Sequence, residues 1–259
     1  MYDRHEMQQI KKAAVEAASV KQGTHYEYAS VANCGTNTPN AAVGDNFCTE
    51  AVLVCAGNPP ELGLGPSVRL FRREVDAAGK PLGRWVQYGT TCFPQDAPGA
   101  PRRALTMAMI QAAFHDTTFA KPTLRVQPKG NVTLVTLPTY FELAWPQAGY
   151  QPGEVDHPDP ARMLGFRVDI RPVLKSVEYV YGDGTTSGPT TSLGGPYPSG
   201  DIRKAYDHAG TFPIRADVTY RGQFRVAGGA WLDIPGDVTV RGAPEDLQVK
   251  TAHARLVTQ

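Results

Sequence analysis

The sequence predicts a mainly β protein: a C-terminal antiparallel β-sandwich preceded by a small, disulfide-stapled α+β region. Three observations carry this. After Pro122 the chain becomes a succession of short alternating strands separated by Gly, Pro and Asp turns, the pattern of a sandwich. Glycine and proline are abundant, 26 and 22 in 259 residues, which favours turns over long helices. All four cysteines, Cys34, Cys48, Cys55 and Cys92, lie in the first third. The expected division is 1–100 for an N-terminal helix and cysteine-bearing β region, 101–122 for a connecting helix, and 123–259 for the sandwich.

In chain order, residues 5–21 carry a helical stripe: Met7, Ile10, Ala14, Ala17 and Ala18, with Lys11, Lys12 and Glu16 off it. Gly23 is the expected stop. Residues 24–50 read as polar and turn-rich. Strands are expected at 51–55, 67–75 and 84–89, the last two joined as a hairpin through Ala78-Gly79-Lys80-Pro81. Residues 94–103 read as a linker. At 103–115 Leu105, Met109, Ala112 and Ala113 share one face, while Met107, Ile110 and Phe114 widen it. A helix apolar over so much of its surface is buried. Later strands are expected at 123–127, 131–137, 139–145, 164–171, 173–181, 212–220, 223–226, 231–234, 237–240 and 246–257.

An even set of cysteines in a loop-rich segment implies two disulfides and an oxidising compartment. Of the three pairings, Cys34–Cys48 with Cys55–Cys92 is preferred. The first pins a Gly/Asn/Thr/Pro-rich loop, and the second joins the ends of 51–55 and 84–89. Closing the longer loop stabilises by about 3–4 kcal/mol in a chain-entropy model. The rival is zinc, but separations of 14, 7 and 37 residues lack the closely spaced ligand pairs of structural zinc sites.

Net charge is +1, from 26 basic and 25 acidic residues, which argues against nucleic acid as a partner. No run of 18 apolar residues marks a membrane span. Met1-Tyr2-Asp3-Arg4-His5-Glu6 lacks the apolar core of a signal peptide. Two locations follow: cytoplasm, or the cell envelope or exterior by an export signal not in this sequence. The cysteines favour the second.

The most specific segments are Tyr179-Val180-Tyr181-Gly182-Asp183-Gly184-Thr185-Thr186 and Lys204-Ala205-Tyr206-Asp207-His208-Ala209-Gly210-Thr211-Phe212-Pro213-Ile214. In the first, Gly182 and Gly184 tolerate positive φ, and Asp183 accepts hydrogen bonds from the backbone N–H groups that follow. In the second, Tyr206 buries its ring and reaches a backbone partner with its hydroxyl, in the manner of a tyrosine corner. Gly210 permits the turn into the next strand.

Together these segments resemble the signature of PKD domains, immunoglobulin-like β-sandwich modules of bacterial and eukaryotic surface proteins, over about residues 123–257. Tyr206, Gly210, Phe212 and Ile214 match. Lys204 stands where the family has His, and Tyr179 where it often has Trp. Gly194-Gly195-Pro196-Tyr197-Pro198 is similar to a loop in secreted proteins of high-GC bacteria. The resemblance implies a structural or binding role rather than catalysis.

No catalytic constellation is recognisable. Asp156, His157, Asp159, Asp183, Asp201, Asp207 and His208 lack a compact calcium-loop spacing and read as turn formers. The serines lack a nucleophile elbow, and no phosphate or dinucleotide loop is present. No cofactor or metal is expected. Tyr140, Phe141, Trp145 and Tyr150 surround a Pro-rich insertion. Beside glycine and proline, Tyr150 and Tyr197 are the candidate binding surface. The expected function is non-catalytic binding at a bacterial cell surface or in an extracellular assembly, through a protein partner. The alternatives are a carbohydrate-binding adhesin and a phage-like or secretion-apparatus structural component.

Overall fold

A computed structural model describes residues 1–19, 23–40, 47–99 and 105–252, with the side chains of 17–19 excepted. The chain divides into two compact units, each discontinuous in sequence.

The first unit comprises residues 1–114, 157–169 and 224–235. It opens with helix α1 (Arg4–Ser19). Asp3 accepts the Glu6 N–H at 2.8 Å, and Glu6 accepts the Asp3 N–H at 2.9 Å, a reciprocal cap that satisfies two donors at the helix start. Met7 sits fully buried in a core with Val68, Leu70 and Ala97, and Tyr2, Ile10 and Tyr88 pack against it.

Strands β1 (His25–Ala32), β2 (Val68–Val75) and β3 (Val86–Thr91) form an antiparallel sheet in that order. β1 falls where a polar, turn-rich stretch is expected. His25-Tyr26-Glu27-Tyr28 alternates in the strand manner, and the full eight-residue register with β2 outweighs the polar composition. The hairpin joining β2 to β3 turns at Asp76, whose carboxylate accepts the N–H groups of Ala78 and Lys80 at 2.9 and 2.8 Å.

Residues 51–55 do not form a strand. Helix α2 (Thr49–Leu53) occupies this run, with the Cys48 sulfur accepting the Ala51 N–H at its start. A short apolar run does not distinguish buried helix from buried strand by periodicity, and here the local cap decides.

The two disulfides are Cys34–Cys48 and Cys55–Cys92, and no free cysteine remains. The longer one is tightly enclosed. A Cβ on Gly63 would lie 2.6 Å from the Cys92 carbonyl oxygen, and one on Gly65 would lie 2.8 Å from the Cys55 Cβ. Helix α3 (Met107–Asp116) buries Met107, Ile110, Ala113 and Phe114; the expected start at 103–104 lies outside the described residues.

The second unit comprises residues 115–156, 170–223 and 236–259. One sheet has the order β4 (Thr123–Gln127), β6 (Thr139–Ala144), β8 (Arg203–Lys204), all antiparallel. The other runs β10 (Leu232–Arg241), β9 (Gly210–Val226), β11 (Glu245–Lys250), β5 (Val132–Leu134), with β7 (Val168–Val180) also on β9. β5 and β11 pair in parallel, so this sheet is mixed.

The clearest sequence-to-structure link is β9. Alternate residues Phe212, Ile214, Ala216, Val218, Tyr220 and Phe224 are buried, the two-residue period of a strand with one face on a core. It is one strand where two are expected. The same merger joins 164–171 to 173–181 in β7, which contains Pro172 and pairs with β9, while its other side meets Asp156, Thr186 and Thr190 through isolated bridges. Within the second unit the rings of Phe141 and Tyr181 lie 5.4 Å apart, and Trp145 donates to the Tyr220 hydroxyl at 2.9 Å. The last strand ends at Lys250, and its expected continuation past 252 lies outside the described residues.

Candidate binding site

The site lies in the second unit, on the face of the β4–β6 pair that carries Arg125, Gln127, Tyr140 and Glu142. Cross-strand partners there are Gln127 with Tyr140 and Arg125 with Glu142. Since side chains alternate across a strand, this face is the opposite of the one that buries Leu124, Val126, Phe141 and Leu143.

Residues 194–200 close over this face. The Gly195 N–H donates to the Phe141 carbonyl at 3.1 Å, and Leu143 N–H donates to the Leu193 carbonyl at 2.8 Å. Gly194 has φ +71, and a Cβ there would fall 1.9 Å from the Phe141 carbonyl oxygen, so only glycine lets the loop approach so closely. At its tip the Tyr197 N–H donates to the Gln127 side-chain oxygen at 2.8 Å. The Tyr197 ring meets Tyr140 edge-on at 5.6 Å, a favoured aromatic geometry. Tyr197 nevertheless remains 69% exposed, while Tyr140 is buried. An exposed ring held by both its backbone and a neighbouring ring is a preorganised contact surface.

Beneath it runs an apolar cleft of about 330 Å³, lined by Pro128, Leu137, Pro138, Tyr140 and Tyr197 with Gln127 and Lys129. A second compartment of about 420 Å³ shares Gln127, Lys129 and Tyr140 and extends past Arg125, Asn131 and Glu142 to Gly195 and Pro196. Arg125 and Glu142 approach to 3.9 Å. Asn131 is held by the Glu245 carboxylate at 3.2 Å. Both volumes fall in the size range of ordinary ligand pockets.

The other candidates have different surroundings. Tyr150 is half-buried, and its backbone bonds Thr118 and Ala120. Burial and a hydrogen bond to the Asp156 carboxylate push its hydroxyl pKa up. Tyr150 and Tyr197 share no neighbour among these contacts, and Tyr150 lines neither compartment beside Tyr197.

Asp183 accepts the Thr185 N–H at 3.0 Å and the Thr185 hydroxyl at 2.6 Å, and pairs with Lys204 at 2.8 Å. Burial pushes its carboxyl pKa up, but these partners outweigh it and hold it at about 2. Gly182 and Gly184 both have positive φ, +79 and +87. Tyr206 is buried, and its hydroxyl donates to the Tyr181 carbonyl at 2.9 Å. Gly210 is the first residue of β9 and pairs with Val249.

The acidic and imidazole groups are distributed among separate partners. Asp156 accepts from the Thr117 hydroxyl at 2.9 Å. In the first unit, His157 Nδ1 lies 2.9 Å from the buried Asp169 carboxylate, whose other oxygen accepts from Arg225 Nε at 2.7 Å. Burial pushes the Asp169 carboxyl pKa up, and Arg225 and His157 together bring it below the ordinary value. Asp159 bonds the Ala161 N–H, and Asp201 accepts the Ser192 hydroxyl. Among the described residues no three His, Cys, Asp or Glu side chains gather as a metal site.

The sequence pattern points to Tyr197 but not to Gln127, Pro128, Lys129, Leu137 and Pro138. A proline near an aromatic is too common a signal to reveal that three separated segments converge. No protein-family profile matches the chain, and comparison with curated proteins finds no relative.

Proposed function

We propose that this chain is a non-catalytic binding protein of a bacterial cell surface or extracellular assembly. Its C-terminal half is read as a PKD-like, immunoglobulin-like sandwich, and a partner protein meets it through the cleft beneath Tyr197. The observation that carries this reading is the pairing of a highly exposed tyrosine with a firmly anchored backbone above an aromatic and proline-lined cleft. Exposed aromatics in such settings are the residues that dominate binding energy at interfaces. Of the ionisable groups considered for catalysis, Asp156, Asp159, Asp183 and Asp201 each bond a different neighbour. The two disulfides are compatible with an oxidising, extracellular location, and among the described residues no helix is long and apolar enough to cross a membrane.

The test is site-specific photo-crosslinking in the native host, with a benzophenone side chain at position 197 and a control at exposed Lys12 on α1. A discrete protein adduct from 197 and none from Lys12 is expected. Equal or absent adducts at both positions would reject the cleft as the binding surface.

A further inference from the structure

We infer that the cleft receives an extended segment of the partner protein, laid along β4 as an added strand, with an apolar ring against Tyr197 and an acidic side chain beside Lys129. This rests on the reading of the cleft as the binding surface and names its occupant.

β4 is the terminal strand of its sheet, and among the described residues it pairs with β6 alone. Its outer edge presents a row of backbone donors and acceptors, the template on which an extended chain adds. Leu124, Arg125, Val126 and Gln127 all line the larger compartment, together with Tyr140 and Glu142 of β6 and with Gly195 and Pro196, so it opens on the face that β4 shares with β6. A strand added at the outer edge extends that face past β4, and its side chains alternate between this face and the opposite one. The five residues of β4 offer roughly 16 Å of edge, room for about five residues of a partner.

Gln127, the last residue of β4, also lines the apolar compartment under Tyr197, so the side chain of the added strand that lies beside Gln127 on this face is the one aimed at that compartment. Charge narrows the occupant further. Arg125 is opposite Glu142, whereas Lys129 is exposed and has no ion pair among the described residues. An acidic residue near the apolar one complements it. A saccharide would use the ring of Tyr197 and the polar compartment but not the row of backbone groups.

The probe is a displayed library of random 12-residue peptides, selected against the full chain and counter-selected against Tyr197→Ala. Tyr197 is exposed, so its truncation leaves the fold intact, as circular dichroism would verify. Enriched peptides are expected to carry an apolar ring near an acidic residue. Tyr197→Ala and Lys129→Glu should each weaken them about tenfold or more, the size of one interfacial hot spot. N-methylation of alternate peptide amides in one register should abolish binding, and in the other register should not, since only alternate residues bond a given neighbour in an antiparallel pair. Binding indifferent to N-methylation in both registers overturns the added strand. Absence of any Tyr197-dependent peptide, with Tyr197-dependent signals on a glycan array, overturns the peptide but leaves the cleft as a binding surface. Absence of both overturns this inference and the reading beneath it.

Discussion

Two residues in the second unit convert local geometry into measurable energy. Tyr206 is buried and donates its hydroxyl to the Tyr181 carbonyl. Tyr206→Phe keeps the ring but leaves that carbonyl without its donor, a loss of about 1–2 kcal/mol, which a urea titration would read as a lower midpoint at unchanged slope. Asp183 makes stability depend on acid. Its folded carboxyl pKa, about 2, lies below the ordinary value of 3.8. Ionised Asp183 therefore contributes stability fully above pH 4, and the contribution is lost as pH falls through about 2. Unfolding midpoints measured from pH 5 to pH 2 should fall less steeply in Lys204→Met than in the parent, because Lys204 is the charged partner. Equal slopes would show that another group governs acid stability. These residues were legible because tight-turn chemistry is local: Gly-Asp-Gly states its own dihedral needs. The cleft was not. Gln127, Leu137 and Tyr197 are far apart in sequence and become neighbours only through the β4–β6 register and the closure of 194–200.

At the scale of elements, the loop over β6 and the disulfide loops behave as clamps. Gly194→Ala would drive a Cβ into the Phe141 carbonyl at a positive φ that disfavours side chains. It should cost more than about 1 kcal/mol and displace Tyr197, so peptide binding falls even where the fold persists; thermal melts and binding titrations on one sample separate the two effects. Replacing Cys55 and Cys92 together by serine opens a 37-residue loop, and should cost about 4 kcal/mol against about 3 for the 14-residue loop of Cys34 and Cys48. Matched urea titrations of the two double variants check this order. Element type was readable where the period was long, as in β9 and α1. It failed at α2, where five residues carry too little period to separate helix from strand, and at β1, where polar side chains obscured an alternation that pairing with β2 makes real.

At the scale of the molecule, the first unit is assembled from three stretches of chain, and this governs what can fold alone. Residues 157–169 and 224–235 belong to it although they follow the start of β4. A linear reading of turns and composition places them in a module beginning at 123, since nothing in a strand's own pattern says which core will take it. The contacts are specific: within the first unit Phe47 lies 6.2 Å from Phe224 and 6.4 Å from Phe166. A fragment spanning 123–259 removes Phe47 from beside Phe224 and removes residues 1–114 of the unit to which Phe224, Met163 and Val168, all buried in the intact chain, belong. Burial of such side chains is worth about 1.5–3 kcal/mol each, a large part of the 5–15 kcal/mol that holds a typical domain together. The fragment should therefore bind the dye ANS and show broadened amide resonances, while the full chain under oxidising conditions should do neither. A fragment with dispersed, sharp resonances and a cooperative melt would show that the second half holds its fold without Phe47 and the rest of the first unit.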